Sequence, residues 1–177
     1  MMLCTGNPAH GTVASAVKKI WPTADFASRS TGYDLRFWDL GSEHYFREQI
    51  KKYDTFINSS FICGGGQLAL LEATFEEWSM LSIRGTIVNI GSSAEWLGTD
   101  SQWGVYSIQK RALRDRSLQL NGKKGITTVH IVAGGLNDGK PGNENGLDLC
   151  HVAETIKWAL EQPFRVPLVY IEASKTK

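Results

Sequence analysis

The sequence predicts an α/β fold: a doubly wound parallel sheet of about seven strands with helices on both faces. Short apolar runs alternate with longer runs of helical periodicity from one end of the chain to the other. The run Thr86–Ile90 is β-branched and apolar except for Asn89, the pattern of a strand covered on both faces. Strict strand–helix alternation implies parallel pairing through right-handed crossovers.

The first strand, Met2 to Thr5, leads into the loop Gly6 to Gly11. Val13, Ala16, Val17 and Ile20 recur at helical spacing until Trp21-Pro22 stops them. Asp25–Ser28 and Leu35–Leu40 read as the next two strands, bounded by Gly32 and Gly41. Ser42 stands where it can cap a helix whose apolar face is Tyr45, Phe46, Ile50 and Tyr53. Thr55–Asn58 is a further strand, and Leu68, Leu71, Phe75 and Trp78 then share one helix face. After strand Thr86–Ile90 come a helix over Val105–Leu120, a strand over Thr127–Val132, a helix over Asp148–Leu160 and a last strand over Pro167–Ile171. The polar, glycine-rich stretch Asn137–Gly146 is expected to be a mobile loop over a site.

A length of 177 residues suits one domain, here residues 1–177, with a sizeable core. Lys plus Arg number 19 and Asp plus Glu 18, so the net charge of +1 leaves no electrostatic footprint for nucleic acid or an anionic membrane. Cys4, Cys63 and Cys150 are widely spaced, without a C-x-x-C, and read as free thiols of a reducing compartment. No apolar run approaches the ~20 residues of a membrane span, and MMLCTG lacks the basic start of a signal peptide. A cytoplasmic protein is expected. The four histidines show no metal-ligand spacing, so no metal is expected.

In open parallel sheets, ligands bind beyond the carboxyl ends of the strands, where strand order reverses. The loop after the first strand, Thr5-Gly6-Asn7-Pro8-Ala9-His10-Gly11-Thr12, runs into a helix whose first N–H groups can hold a pyrophosphate. Its spacing is G-x-x-x-x-G, and no Gly-Lys-Ser/Thr is present, which argues against a triphosphate P-loop. Arg29, between Ser28 and Ser30 and with no acid beside it, suits the 2′-phosphate of NADP better than the ribose hydroxyl of NAD. Tyr106 and Lys110 lie four apart on one helix, so they share a face. An ammonium beside a phenol favours phenolate, which would make the pair a proton donor and acceptor. The preceding strand ends Ile90-Gly91-Ser92-Ser93, with hydroxyls at the same sheet edge.

These residues, in this order, resemble the short-chain dehydrogenase/reductase family, with its Rossmann-like fold. Thr5-Gly6 opens the glycine loop, Asp39-Leu40 follows the third strand, and Asp54-Thr-Phe-Ile-Asn58-Ser-Ser stands where the family has D-x-L-V-N-N-A-G. Thr86-Ile-Val-Asn89-Ile-Gly-Ser92 matches the serine strand, Tyr106-Ser-Ile-Gln-Lys110 the catalytic helix, and Val132-Ala133-Gly134-Gly135 the V-x-P-G turn. The resemblance implies that Tyr106 is the general acid/base and that Ser92 bonds the substrate oxygen, with Ser93 as the rival serine. It implies that Lys110 bonds the nicotinamide ribose and lowers the Tyr106 pKa. Gly6, Asn7, His10, Gly11, Thr12, Ser59 and Gly134 would line the cofactor, Asp39 and Leu40 would flank its adenine, and Asn58 would steady the strand beside it.

There are departures. His10 and Thr12 stand in the glycine loop, Gly-Gly-Gly-Gln replaces the family's active-site Asn near residue 65, and Ala133 replaces the turn proline. The substrate loop is short. Two functions follow: an NADP(H)-dependent oxidoreductase acting on a small-molecule carbonyl or alcohol, where the short loop implies either a bulky substrate or poor turnover, or an NADP(H)-binding module used for sensing or partner control without turnover. A homodimer or homotetramer is expected, since the family commonly associates through the helix carrying Leu68, Leu71, Phe75 and Trp78 and through the catalytic helix.

Overall fold

The structure, a computed structural model, describes residues 1–9, 11–31, 39–60, 66–98 and 102–174. Strands β1 (Met2–Thr5), β2 (Asp25–Ala27), β3 (Thr55–Asn58), β4 (Thr86–Ile90), β5 (Thr127–Ala133) and β8 (Leu168–Ile171) form one sheet in the order β2-β1-β3-β4-β5-β8. Every pairing in it is parallel. Between the strands run helices α1 (Val13–Ile20), α2 (Leu40–Ile50), α3 (Gly66–Met80), α4 (Gly104–Leu120) and α5 (Leu149–Glu161). Two-residue strands β6 (Leu136–Asn137) and β7 (Leu147–Asp148) pair apart from the sheet. The main sheet thus has six described strands.

The seventh expected strand, Leu35–Leu40, lies up to residue 38 outside the described residues. Its last two residues belong to α2 instead. Asp39 is the N-cap, and its Oδ1 accepts the Ser42 N–H at 2.7 Å, so the helix starts before Ser42. Ser42 therefore receives the cap that it was expected to provide.

Strand alternation explains the two cores. Leu3, Phe56 and Ile87 face α2, α3 and α4, while their neighbours Cys4, Ile57 and Val88 face α1 and α5. Toward the carboxyl ends, the α3–α4 side turns polar. Asn58 Nδ2 donates to Asn89 Oδ1 at 3.0 Å and to Gln67 O at 2.8 Å, and Asn89 Nδ2 donates to Ser117 Oγ at 3.2 Å. These buried amides pin β3, β4, α3 and α4 in one register.

The expected assembly face on α3 is mostly internal. Leu71 and Trp78 are fully buried in the chain's own core, and Leu68 and Phe75 pack against it partly covered. Trp158 on α5 is 47% exposed in this chain. The loop 138–146 is held by its own bonds: Asn143 Nδ2 donates to Asp138 Oδ1 at 2.8 Å and the Gly142 N–H to Glu144 Oε2 at 2.9 Å. Among the described residues, no helix is long and apolar enough to cross a membrane.

Among the described residues Trp78 is the largest fully buried side chain, and its Nε1 donates to Ile50 O at 3.1 Å. Trp78→Ala should lower unfolding free energy by about 3–5 kcal/mol in urea titrations followed by circular dichroism. Leu118→Ala, at a 40% exposed position on α4, should stay within about 0.5 kcal/mol of the parent.

Candidate active site

Strand order reverses between β1 and β3, and a cleft of about 320 Å³ opens there. Gly6, Gly11, Thr12, Ser59, Ser60 and Asp138 are among its walls. Gly6 has φ +124°, and a Cβ there would sit 3.1 Å from both Ala14 Cβ and Ser60 Oγ. Only glycine lets the chain turn here and bring its backbone to the cleft. Thr12 is the N-cap of α1: its Oγ1 accepts the Ser15 N–H at 3.0 Å and donates to Asn7 O at 2.6 Å. The Ser59 hydroxyl donates to Thr5 O, tying the ends of β1 and β3 together.

This donor set fits the phosphates of a dinucleotide. Val13 and Ala14, the first residues of α1, line the cleft, and helix-start N–H groups lack acceptors within the helix. Asp138 is the acid in its described lining; Asn143 and Lys140 bond its carboxyl and hold its pKa down to about 2, so it is an anion whose charge Lys140 Nζ offsets at 2.5 Å. Asp138 also closes on the glycine loop. A Cβ on Gly11, at φ +79°, would come within 2.7 Å of Asp138 O. The loop read as mobile is thus packed on the glycine loop.

The other predicted cofactor residues are placed as follows. Asn7 lines the cleft, and its Oδ1 accepts the Ala9 N–H at 3.0 Å. His10 lies outside the described residues. Arg29 begins a short 3₁₀ turn directly after β2 and is exposed. Asp39 and Leu40, expected at a strand end against adenine, are both exposed at the start of α2, where the Asp39 carboxylate is used in capping. Asn58 is fully buried in the amide network, beneath the cleft rather than on it. Gly134 is packed under the end of β8, and a Cβ there would meet Glu172 Cβ at 2.9 Å.

Beyond the end of β4, Ser92 caps a 3₁₀ turn over Ser93–Trp96. Its Oγ accepts the Ala94 N–H at 3.2 Å, and its side chain is near enough to the Tyr106 phenol to lower the phenol's pKa. Ser93 falls inside the turn, so Ser92 is the serine that meets the tyrosine. The Tyr106 ring stands edge-on to Trp103, with centroids 6.1 Å apart. Lys110 Nζ lies 5.5 Å from the centre of the Tyr106 ring. It donates to Gln67 Oε1 and to Ile90 O, each at 2.7 Å, and the residue is only 3% exposed.

The electrostatics differ from the expectation. Burial raises the Tyr106 phenol above its ordinary pKa, and the Glu95 charge raises it further, while the Ser92 side chain lowers it. Burial brings the Lys110 amine down to about 7, with Glu95 acting in the opposite sense. Burial of the ring is the largest influence on the phenol, and it acts against the lowering expected from Lys110. The Tyr106 phenol is a proton donor at neutral pH.

Three residues of this site went unread in the sequence. Gln67 stands where the family's Asn is missing, and it reaches Lys110 directly. Glu95 accepts the Ser92 N–H at 2.9 Å, and His130 Nε2 lies 2.9 Å from the same carboxylate oxygen. The S-x-x-E spacing of Ser92 and Glu95 is a capping-box signal that sequence alone could have offered.

Neither protein-family models nor curated proteins match the chain. Solved structures do. Serine dehydrogenase from Escherichia coli superimposes with a TM-score of 0.74 at 14% identity, over 99% of both chains. A short-chain dehydrogenase from Streptomyces avermitilis gives 0.72 at 15% identity, over 96% of this chain and 88% of that one. A short-chain dehydrogenase from Sphingobium yanoikuyae, solved with NADPH, gives 0.70 at 11% identity, over 96% and 87%. The chain has the Rossmann-like fold of the short-chain dehydrogenases/reductases.

Lys110 predicts a pH dependence of stability. Its folded pKa of about 7 lies below the unfolded value of about 10.4, so the unfolded chain binds more protons between those limits. Its contribution should therefore rise as pH rises from about 7 to 10. Against Lys110→Met, the parent should gain on the order of a few kcal/mol across that window in urea titrations.

Proposed function

We propose that the chain is an NADP(H)-dependent oxidoreductase that reduces a carbonyl compound or oxidises the corresponding alcohol. The observation that carries this reading is the gathering of Ser92, Tyr106 and Lys110 at the carboxyl edge of the sheet: the Ser92 side chain lowers the pKa of the phenol, and Lys110 Nζ lies 5.5 Å from its ring centre. The fold it shares with dehydrogenases supports the reading, and two of those structures hold NADPH or NADP.

The bound nicotinamide would supply or accept the hydride. The remaining work falls to this chain. The cleft between β1 and β3 would hold the phosphates on the first N–H groups of α1, with Gly6, Thr12 and Ser59 around them. Arg29, exposed at the end of β2, would meet a 2′-phosphate. Ser92 Oγ would donate to the substrate carbonyl oxygen and orient it toward the phenol. Tyr106 would donate its proton to that oxygen as charge builds there. A phenol held above its ordinary pKa carries its proton at neutral pH, the state this donor role needs. Lys110, fixed by Gln67 and Ile90 O, would support the Tyr106 ring from below and reach the ribose only by giving up one of those bonds.

A second reading, a binding module without turnover, is favoured by one observation: the Lys110 amine is already committed to Gln67 and Ile90 O in the interior. We also propose a homodimer or homotetramer; Val105 and Ile108 of α4 are 69% and 51% exposed. Sedimentation showing a monomer at micromolar concentration would contradict that assembly.

NADPH oxidation with a panel of aldehydes and ketones tests the first reading. Tyr106→Phe should lose roughly 100-fold or more of the turnover and keep its NADPH binding by tryptophan quenching. Unchanged turnover would refute the assignment. Arg29→Ala should weaken NADPH binding by about tenfold and leave NADH binding unaltered. NADPH binding with no turnover on any carbonyl, indifferent to Tyr106→Phe, would select the binding module.

A further inference from the structure

We propose that Glu95, clamped by His130 in the space Gly91 leaves open, is the positioning residue of the Ser92–Tyr106 pair. This rests on the reading of Ser92 and Tyr106 as the reacting groups, but the contacts themselves do not.

The starting point is a carboxylate in the wrong place. Glu95 is 2% exposed, and a charged side chain is almost never buried so deeply without a purpose for its charge. A surface Glu at the third position of a 3₁₀ turn would cap the turn just as well. Here the turn carries it inward because residue 91 is glycine. A Cβ at Gly91 would lie 2.2 Å from Glu95 Oε1 and 2.3 Å from His130 Nε2, so any larger residue would expel the pair. His130, fully buried on β5, sits in register with Asn89 on β4.

The contacts run in one chain from sheet to phenol. His130 Nε2 lies 2.9 Å from Glu95 Oε1, and that oxygen also accepts the Ser92 N–H at 2.9 Å. The Ser92 side chain is in turn near enough to the Tyr106 phenol to lower its pKa. The serine backbone is thus tied to β5 through a side-chain pair, in addition to its own strand. With Glu95 Oε1 bridging two groups, the tether fixes the direction in which Ser92 presents its hydroxyl.

The rest of the pair is poorly satisfied. Glu95 Oε2 and His130 Nδ1 are buried without hydrogen-bond partners among the described residues. Arg114 Nη1 is 3.7 Å from Glu95 Oε2, too long for a hydrogen bond, and its guanidinium is stacked 4.8 Å from the Trp96 ring centre. The charge acts on the site. Glu95 faces Tyr106, Lys110 and Arg114 from α4 and His130 from β5, and it favours the protonated forms of both Tyr106 and Lys110. One carboxylate therefore orients the serine and keeps the phenol loaded with its proton.

The test reads Tyr106 itself, by ¹³C NMR of the chain labelled at tyrosine Cζ, with the Tyr106 resonance assigned by its loss in Tyr106→Phe. Glu95→Gln keeps an acceptor for the Ser92 N–H and removes the charge. Its Tyr106 titration midpoint should fall by roughly one pH unit, and the alkaline limb of any carbonyl-reduction profile should move down with it. His130→Val removes the clamp and His130→Gln restores a donor. The first should lower kcat about tenfold with KM unchanged and broaden the Tyr106 resonance; the second should recover most of both. An unmoved Tyr106 midpoint in folded Glu95→Gln overturns the proposal. If Glu95→Gln does not fold, the two His130 variants decide: a Tyr106 resonance identical to the parent's in His130→Val overturns it. Because the resonance reports without turnover, a chain that reduces no carbonyl would sink the oxidoreductase reading and leave this coupling measurable.

Discussion

An amine placed out of reach of water must be given acceptors or lose its proton, and Lys110 is caught between the two. Its acceptors come from the sheet and from α3: Ile90 O at the end of β4, and Gln67 Oε1 at the first turn of the helix. Gln67 in turn donates to Asn58 O at 2.7 Å and to Ile90 O at 3.1 Å. The same residues therefore lock β3 to β4 and hold the base of the site. Removing the amine would leave buried acceptors unpaired, and removing the amides would leave a buried cation. Stability and site geometry rest on one polar seam.

That seam explains why the site stands where it does. The apolar halves of β3, β4 and β5 sit deep in the layers, and the polar halves emerge on the α3–α4 side at the carboxyl edge. Asn58, Asn89 and His130 occupy this edge in adjacent strands, and they meet Gln67, Ser117 and Glu95. Around the corner, where strand order reverses, the backbone of Gly6 and the start of α1 make the cleft suited to phosphates. A dinucleotide laid across that edge would have its phosphates at α1, with Tyr106 projecting at the same edge from α4. The fold brings both positions to one edge of the sheet.

Much of this was readable in the residues. Strands with apolar side chains on both faces announced a covered parallel sheet, and Leu3/Cys4, Phe56/Ile57 and Ile87/Val88 divide between the two cores as that pattern requires. The serine, tyrosine and lysine were legible because helix and strand spacing fix which edge they share. The start of α2 was not, because Asp39 and Ser42 are both good capping residues and only the fold chooses between them. The sign of the electrostatics was also hidden. Y-x-x-x-K suggests an ammonium lowering a phenol, but burial is a tertiary property, and it lowers the amine's pKa and raises the phenol's. Glu95 was hidden for the same reason. In the sequence it is a surface cap, and only Gly91 and His130 together turn it inward.

The central claim is that this edge transfers hydride from a nicotinamide to a carbonyl carbon. The most direct measurement is isotopic: NADPH carrying deuterium at both C4 positions, a reactive aldehyde such as a benzaldehyde, and mass spectrometry of the alcohol formed. The account predicts one deuterium on the carbinol carbon, formed by the parent chain and absent from Tyr106→Phe. Alcohol without deuterium, or the same labelled alcohol from the Tyr106→Phe chain, would contradict it.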